Sequence, residues 1–260
     1  MIFRRIYHFF NFFGINLKKF IFTLIRLPRY LFTYFQFVNS KKNSEFKISK
    51  LFPCIDDVFE KSGIARGHYF YQDLFVAKMI HHNAPIIHFD IGSRIDGFVA
   101  HVASFRKINI FDIRSLDNFD VNVTFHQLDL MSEIPSEYFE ITDSISCLHT
   151  LEHFGLGRYG DKIDAFGYLK GFKNITSLIK QNGLFYFSVP IGPQRIEFNA
   201  HRVFSLNYLL AMFKNDFDVI NFSFVDDIGD FYENVILSEE RIENNCDCIY
   251  GCGIFILKKR

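Results

Sequence analysis

Between Gln72 and Val225, short apolar runs alternate with segments of helical period. Leu74, Phe75, Met79 and Ile80 recur at the spacing of one helix face, and His82-Asn83-Ala84-Pro85 supplies a stop. Ile86–Ile91, Ile108–Ile113, Val123–Leu128, Ser144–Leu148 and Leu184–Val189 read as five strands; Gly92 closes the first and Pro190 the last. Phe98–Ser104 and Tyr168–Lys180 read as helices, the second stopped by Asn182-Gly183. Ser205 is placed to cap a helix carrying Leu206, Leu209, Leu210 and Phe213 on one side. Strands alternating with helices predict an α/β fold, a mostly parallel sheet covered on both faces. Phe217–Val225 and Cys248–Leu257 are strand-like runs with no apolar helix between them, which predicts a terminal antiparallel hairpin.

The first 44 residues follow another pattern. They hold Arg4, Arg5, Lys18, Lys19, Arg26, Arg29, Lys41 and Lys42 with no acid before Glu45, and Phe9, Phe10, Phe12, Phe13, Phe20, Phe22, Phe32 and Phe35 lie between those bases. The polar stretch Asn39–Ser49 marks the join to the main domain, giving a helical segment over 1–50 and a second domain over 51–260. Two readings of the first segment stay open. It is a basic, aromatic helix lying on an anionic membrane surface, or a set of helices packed on the main domain with their bases in water. A transmembrane span is not expected, because Lys18, Lys19, Arg26, Pro28 and Arg29 interrupt the apolar run. A signal peptide is not expected either, because the small-residue cleavage site is missing. Lys+Arg and Asp+Glu balance at 29 each, so no global charge draws the chain to nucleic acid. Five cysteines in 260 residues suit a reducing, cytoplasmic compartment, peripheral to the inner face of the membrane on the first reading.

Candidate chemistry gathers at the carboxyl ends of the predicted strands, where open α/β sheets build ligand sites. Asp90 ends the first strand, Gly92 permits a tight turn, and Gly97 lets the next helix begin close to a ligand. Asp112 ends the second strand and Asp129 follows the third. The fourth, in DSISCLHTLEHF, delivers His149, Glu152 and His153, and His201 arrives later in RIEFNAHRVFS. If the first of these segments is helical, His149 and His153 share a face with Glu152 beside them. His149, Glu152, His153 and His201 then offer mixed ligands for a divalent ion that lowers the pKa of a substrate hydroxyl. Alternatively His153 or His201 serves as general base, or the histidines only hydrogen-bond loop backbone. GLGRYGDKID, Gly155–Asp164, reads either as a mobile substrate lid or as a rigid turn. In VPIGPQRIEFNAHR, Arg195, Glu197, Asn199, His201 and Arg202 read either as a grip for a sugar or acidic substrate or as a solvated loop. Cys246, Cys248 and Cys252 lack a Cys-x-x-Cys pair and read as buried free thiols.

This layout resembles the class I S-adenosylmethionine (SAM) methyltransferases. The resemblance implies a Rossmann-like fold with a seven-stranded sheet, and SAM held by Asp90, Gly92, Gly97, Asp112 and Asp129. Asp112 would accept the ribose hydroxyls and Asp129 would meet the adenine amino group. Arg94 and Asp96 stand where that superfamily carries further glycines. The dinucleotide fingerprint is absent, and Asp90 and Asp96 would repel a pyrophosphate. Several metal-dependent O-methyltransferases carry Glu-x-x-Glu-His where this chain has His149-x-x-Glu152-His153; His at the first position suits Mn²⁺, Fe²⁺ or Zn²⁺ better than Mg²⁺.

The strings FDIGSRIDGFVAH, FDIR, SCLHTLEHFGLGRYGD and SVPIGPQRIEFNAHRVFS are similar to a domain-of-unknown-function family, DUF268, from about Phe52 to Val225. Its bacterial members often occur among surface-polysaccharide genes. The expectation is a SAM-dependent methyltransferase acting on a sugar or glycan hydroxyl, with Glu152, His153 and His201 activating the acceptor. The alternative is a methyltransferase-like protein without turnover, a membrane-associated partner in glycan assembly.

Overall fold

The computed structural model describes residues 9–11, 13–40, 46–116 and 122–260, and the chain divides into two compact units, Met1–Ile64 and Ala65–Arg260. In the first unit α1 runs from Leu17 to Ser40, continuous through Pro28, and a single turn of 3₁₀ helix covers Asp57–Phe59. Arg4, Arg5, Lys41, Lys42 and part of the polar join lie outside the described residues.

In the second unit α2 (His68–Asn83) precedes β1 (His88–Ile91). A π-turn over Ile95–Val99 leads into α3 (Ala100–Ala103), then β2 (Ile108–Asp112) and β3 (Val123–Gln127). Next come β4 (Thr142–Leu148), α4 (Gly167–Leu178) and β5 (Ile179–Ile191). A two-stranded hairpin, β6 (Arg195–Glu197) with β7 (His201–Val203), precedes α5 (Leu206–Phe213). The chain closes with β8 (Phe217–Val225), β9 (Phe231–Tyr232), α6 (Glu239–Glu243) and β10 (Gly251–Lys259).

The main sheet has the order β3-β2-β1-β4-β5-β10-β8-β9. Strands β1 to β5 pair in parallel, and β10 lies antiparallel between β5 and β8. The expected seven strands and terminal antiparallel pair are present, with the two-residue β9 added at the edge. Both faces are buried, which is why the strands read as nearly unbroken apolar runs. One face packs α4 and α5 over a phenylalanine cluster that includes Phe172, Phe185, Phe187, Phe213 and Phe255. The other packs α2 and α3 through Phe75, Ile80, Val99 and Val102.

Several local expectations shift. The helix before β5 ends at Leu178, and Asn182-Gly183 instead sits in an irregularity of β5. Asn182 adopts φ 64 there, and Gly183 is pressed against Ile179 and the Asp143 carbonyl, so the turn chemistry is used inside a strand. The last strand, expected from Cys248, begins only at Gly251, so it contains Cys252 but not Cys248; Cys246 lies in a 3₁₀ turn with φ 56. Ser205 caps α5 as expected, its Oγ accepting from Tyr208 N.

Phe255 is fully buried, with ring neighbours Phe222 at 4.8 Å and Phe213 at 5.2 Å. Replacing a core phenylalanine by alanine removes its transfer energy and leaves a cavity. Phe255→Ala should cost about 3–5 kcal/mol, read as a lower urea midpoint at unchanged slope.

Candidate active site

The strand order reverses between β1 and β4, and the loops leaving their carboxyl ends diverge there. A cavity of about 340 Å³ opens at this point, within the size range of small-molecule sites. Its wall is built from the loops after β1, β2, β3 and β4, from α2, and from the loop around Tyr159.

The β1 loop is shaped from below. Asp90 has no solvent exposure; its Oδ2 accepts from Ser93 N at 3.0 Å, and its Oδ1 accepts from the hydroxyls of Ser93 at 2.9 Å and Ser146 at 2.5 Å. It does not line the cavity, so it acts through the loop it holds. Burial raises its pKa to about 6, against the opposing pull of these donors. Beneath it, neutral His88 bonds Ser144 Oγ at 2.8 Å and Ser146 Oγ at 3.2 Å, and burial depresses its pKa to about 3. Gly92 turns at φ 66 against the Thr150 side chain, which a Cβ would meet at 2.6 Å. Gly92 and Gly97 both line the cavity. Arg94 and Asp96 fork onto one another at 2.8 and 3.0 Å and remain about three-quarters exposed, so they stand at its rim.

Asp112 and Asp129 both face the cavity. Asp129 accepts from Met131 N at 2.8 Å and Ser132 Oγ at 2.9 Å, leaving one lone pair on each oxygen. Asp112 is more heavily used: Oδ1 accepts from Arg114 N and Nε, and Oδ2 accepts from Arg114 Nη2 at 2.6 Å. One lone pair of Oδ2 stays available to a ligand hydroxyl. Spacing rules pass over Arg114, and they also miss Tyr69 and Asp73 of α2, which line the opposite wall. The available signal was an acid directly before the apolar face of α2; Asp73 is buried, and desolvation raises its pKa. In all, five aspartates and three arginines line the cavity, and two of those arginines are already forked onto aspartates.

On the β4 side of the cavity the segment after the strand is a 3₁₀ turn over Leu151–His153, with His149 ahead of it at φ 49. The two histidines therefore do not share a helical face, but Glu152 still joins them. Its Oε1 lies 2.9 Å from His149 Nδ1 and 3.7 Å from His153 Nε2. Burial works against a charge on His149; its neighbours Cys252 and Glu152 outweigh this and raise its pKa. His68 stacks on it at 5.5 Å and is pushed down to about 4, first by burial and then by the His149 charge. His153 Nδ1 donates to Ala200 O at 2.6 Å, and burial lowers its pKa, which leaves it neutral near pH 7. His149 and His153 line the cavity; Glu152 lies behind them.

His201, on β7, faces Glu197 at 3.4 Å and the Tyr250 ring at 5.0 Å. Among the described residues no three His, Cys, Asp or Glu side chains are grouped to hold a metal ion. His149 Nε2, Glu152 Oε2 and His201 Nε2 are buried without a hydrogen-bond partner. Arg202 is buried, donating to the carbonyls of Glu152, Phe154 and Ala165, which suits a structural role better than a sugar grip. The loop 155–164 is internally braced: Asp161 accepts from the backbone of Gly155, Gly157 and Tyr159. Tyr159 stands between the two sides of the cavity, with Arg114 4.7 Å above its ring and His153 edge-on at 5.4 Å.

The family described as Caenorhabditis protein of unknown function, DUF268, matches residues 102–259, and the chain belongs to it. The match includes the segment after β4 and His201 but begins beyond the β1 loop. No curated protein matches the chain. Among solved structures, it resembles the 1,6-didemethyltoxoflavin-N1-methyltransferase of Burkholderia thailandensis, with bound 1,6-didemethyltoxoflavin and S-adenosylhomocysteine (14% identity, TM-score 0.50, covering 72% of this chain and 78% of that one). It also resembles the [4+2]-cyclase SpnF (12% identity, TM-score 0.50, covering 76% and 88%). The N-methyltransferase NodS of Bradyrhizobium japonicum with S-adenosylhomocysteine has 8% identity and a TM-score of 0.48, covering 74% and 88%. The fold is that of the class I SAM-dependent methyltransferases.

Asp90 titrates at a higher pH folded than unfolded, so its native carboxyl holds a proton across the interval from about 4 to about 6. Its contribution to stability is fully present below the unfolded pKa and is lost as pH rises through about 6, a change on the order of 3 kcal/mol. Asn can keep the Ser93 N contact while the serine hydroxyls rotate to accept from its amide. Asp90→Asn should remove this component from stability measured by denaturant at pH 4 to 7.

Proposed function

We propose that this DUF268 member is a SAM-dependent methyltransferase that methylates a hydroxyl of a sugar or glycan in surface-polysaccharide biosynthesis. The carrying observation is the charge of the cavity at the β1/β4 switch point, where aspartates outnumber arginines. That balance suits a ligand bearing cationic groups and no phosphate. SAM bound there would supply an electrophilic methyl group on a sulfonium. Asp112 Oδ2 and the free lone pairs of Asp129 are available to hydroxyl and amino donors, while the Gly92 turn and Gly97 keep the β1 loop free of side chains at those two positions.

The acceptor hydroxyl must lose a proton as its oxygen takes the methyl group. His153 is the side chain suited to receive it. Its Nδ1–H is committed to Ala200 O, which leaves the Nε2 lone pair as base. The imidazolium formed would lie 3.7 Å from the Glu152 carboxylate, which favours the charged product. His149 holds Glu152 from the other side. His201 belongs to the acceptor side by this reading, next to Tyr250. Divalent-metal assistance is favoured only by the buried atoms of His149, Glu152 and His201 that lack a hydrogen bond; as arranged, these side chains do not close around an ion.

One observation favours the alternative, a partner protein without turnover: Arg114 already forks onto the carboxylate assigned to the ribose. The [4+2]-cyclase among the structural relatives likewise shows that this fold hosts more than one activity.

Titration calorimetry with SAM and S-adenosylhomocysteine, with and without EDTA, decides first. One-to-one binding of both is expected, and no binding by folded protein defeats the proposal. With a sugar acceptor, His153→Ala should reduce kcat by about 10²–10⁴-fold at unchanged S-adenosylhomocysteine affinity. Full activity in that variant would remove His153 as base.

A further inference from the structure

We infer that α1 is a docking helix for an anionic lipid surface, lying in the interface without crossing it. The argument rests on the first unit alone and is independent of the proposed catalysis. At 3.6 residues per turn, Phe20, Leu24, Ile25, Leu31, Phe32 and Phe35 fall on one side of this 24-residue helix. Lys19 and Arg26 fall on the other, Lys18 and Arg29 flank the stripe along its Ile25 edge, and the helix contains no acid. Among the described residues of this unit nothing buries the apolar side: none of the helix residues is buried, and Phe20, Ile25, Phe32 and Phe35 are each 60–67% exposed. So long an unbroken stripe of large apolar side chains marks an interaction surface.

The unit's own chain covers the opposite side. Asp56 pairs with Arg26 at 2.6 Å, and the Phe59 ring packs under Arg26 at 4.1 Å and Arg29 at 5.5 Å. The turn at Asp57–Phe59 therefore braces the basic face and leaves the apolar stripe to another surface.

Charge selects the occupant. The chain has eight bases and no acid over its first 44 residues, so a second copy would set like charge against like. An anionic bilayer complements both halves: aromatic and aliphatic side chains enter the acyl boundary, while Lys and Arg reach back to the headgroups. No described helix is long and apolar enough to cross a membrane, which fits a helix lying flat.

The test is co-sedimentation of the full chain with phosphatidylcholine vesicles, with and without phosphatidylglycerol, at low and high salt. Binding to the anionic vesicles at low salt is expected, at least tenfold stronger than to the neutral ones and weakened by salt. Ile25→Asp with Phe32→Asp should abolish it while thermal unfolding stays unchanged, since neither residue is buried. Lys18→Glu with Lys19→Glu should remove the preference for anionic lipid. The inference is overturned if the intact chain stays in the supernatant, or if the Ile25/Phe32 variant binds as well as the parent. It is also overturned if those substitutions dissolve a dimer or release a protein partner without changing vesicle binding.

Discussion

The cavity depends on one buried carboxylate. Asp90 takes three hydrogen bonds inside the protein, two from Ser93 and one from Ser146, and so ties the turn after β1 to the neighbouring strand β4. A carboxylate in that position is costly to desolvate, and burial raises its pKa even against the donors from Ser93 and Ser146. The return is a loop whose backbone is set before any ligand arrives. From that loop Gly92 leans on Thr150, which follows His149 and leads into the turn carrying Glu152 and His153. The two walls are thus joined by the hydrogen bond at Ser146 and by packing at Thr150.

The same economy governs the charges. Arg94, Arg114 and Arg158 all reach the cavity wall, and each is already engaged by Asp96, by Asp112 or by the Ala200 carbonyl. Each Arg–Asp fork cancels both of its charges, so the balance rests on Asp73, Asp129 and Asp161 against Arg158, whose carbonyl partner carries no charge. After β4 the two histidines beside Glu152 are driven in opposite directions, His149 upward and His153 downward. Titratable neighbours split in this way are characteristic of proton-handling sites.

Much of the fold was legible because it follows period. The run from Phe89 to Ile91 and the Gly92 turn identify a buried strand and its loop, and β4 ending before His149 points to the polar cluster. What period does not encode is which neighbour claims a residue. Asn182-Gly183 is strong stop chemistry, yet pairing with β4 draws Ile179 into a strand before that stop is reached. Arg202 reads as a surface base until three carbonyls bury it. Asp73 and Arg114 join the site only through packing of α2 and the turn after β2, contacts that no local spacing records. The end of β1 identifies Asp90 as a site position, but its concealment beneath the loop depends on Ser146, which lies 56 residues away in sequence.

The place of β10 also constrains how the second unit forms. That strand follows β8 and β9 in sequence but lies between β5 and β8, bonded to both. Until Gly251–Lys259 leaves the ribosome, two long strand edges have no partner, and β5 brings the fully buried Tyr186, Phe187 and Val189 to one of them. Unpaired apolar edges invite pairing with other chains. Sheet closure is therefore a late, long-range event during synthesis, and the nascent chain passes through an interval in which chaperone cover matters most.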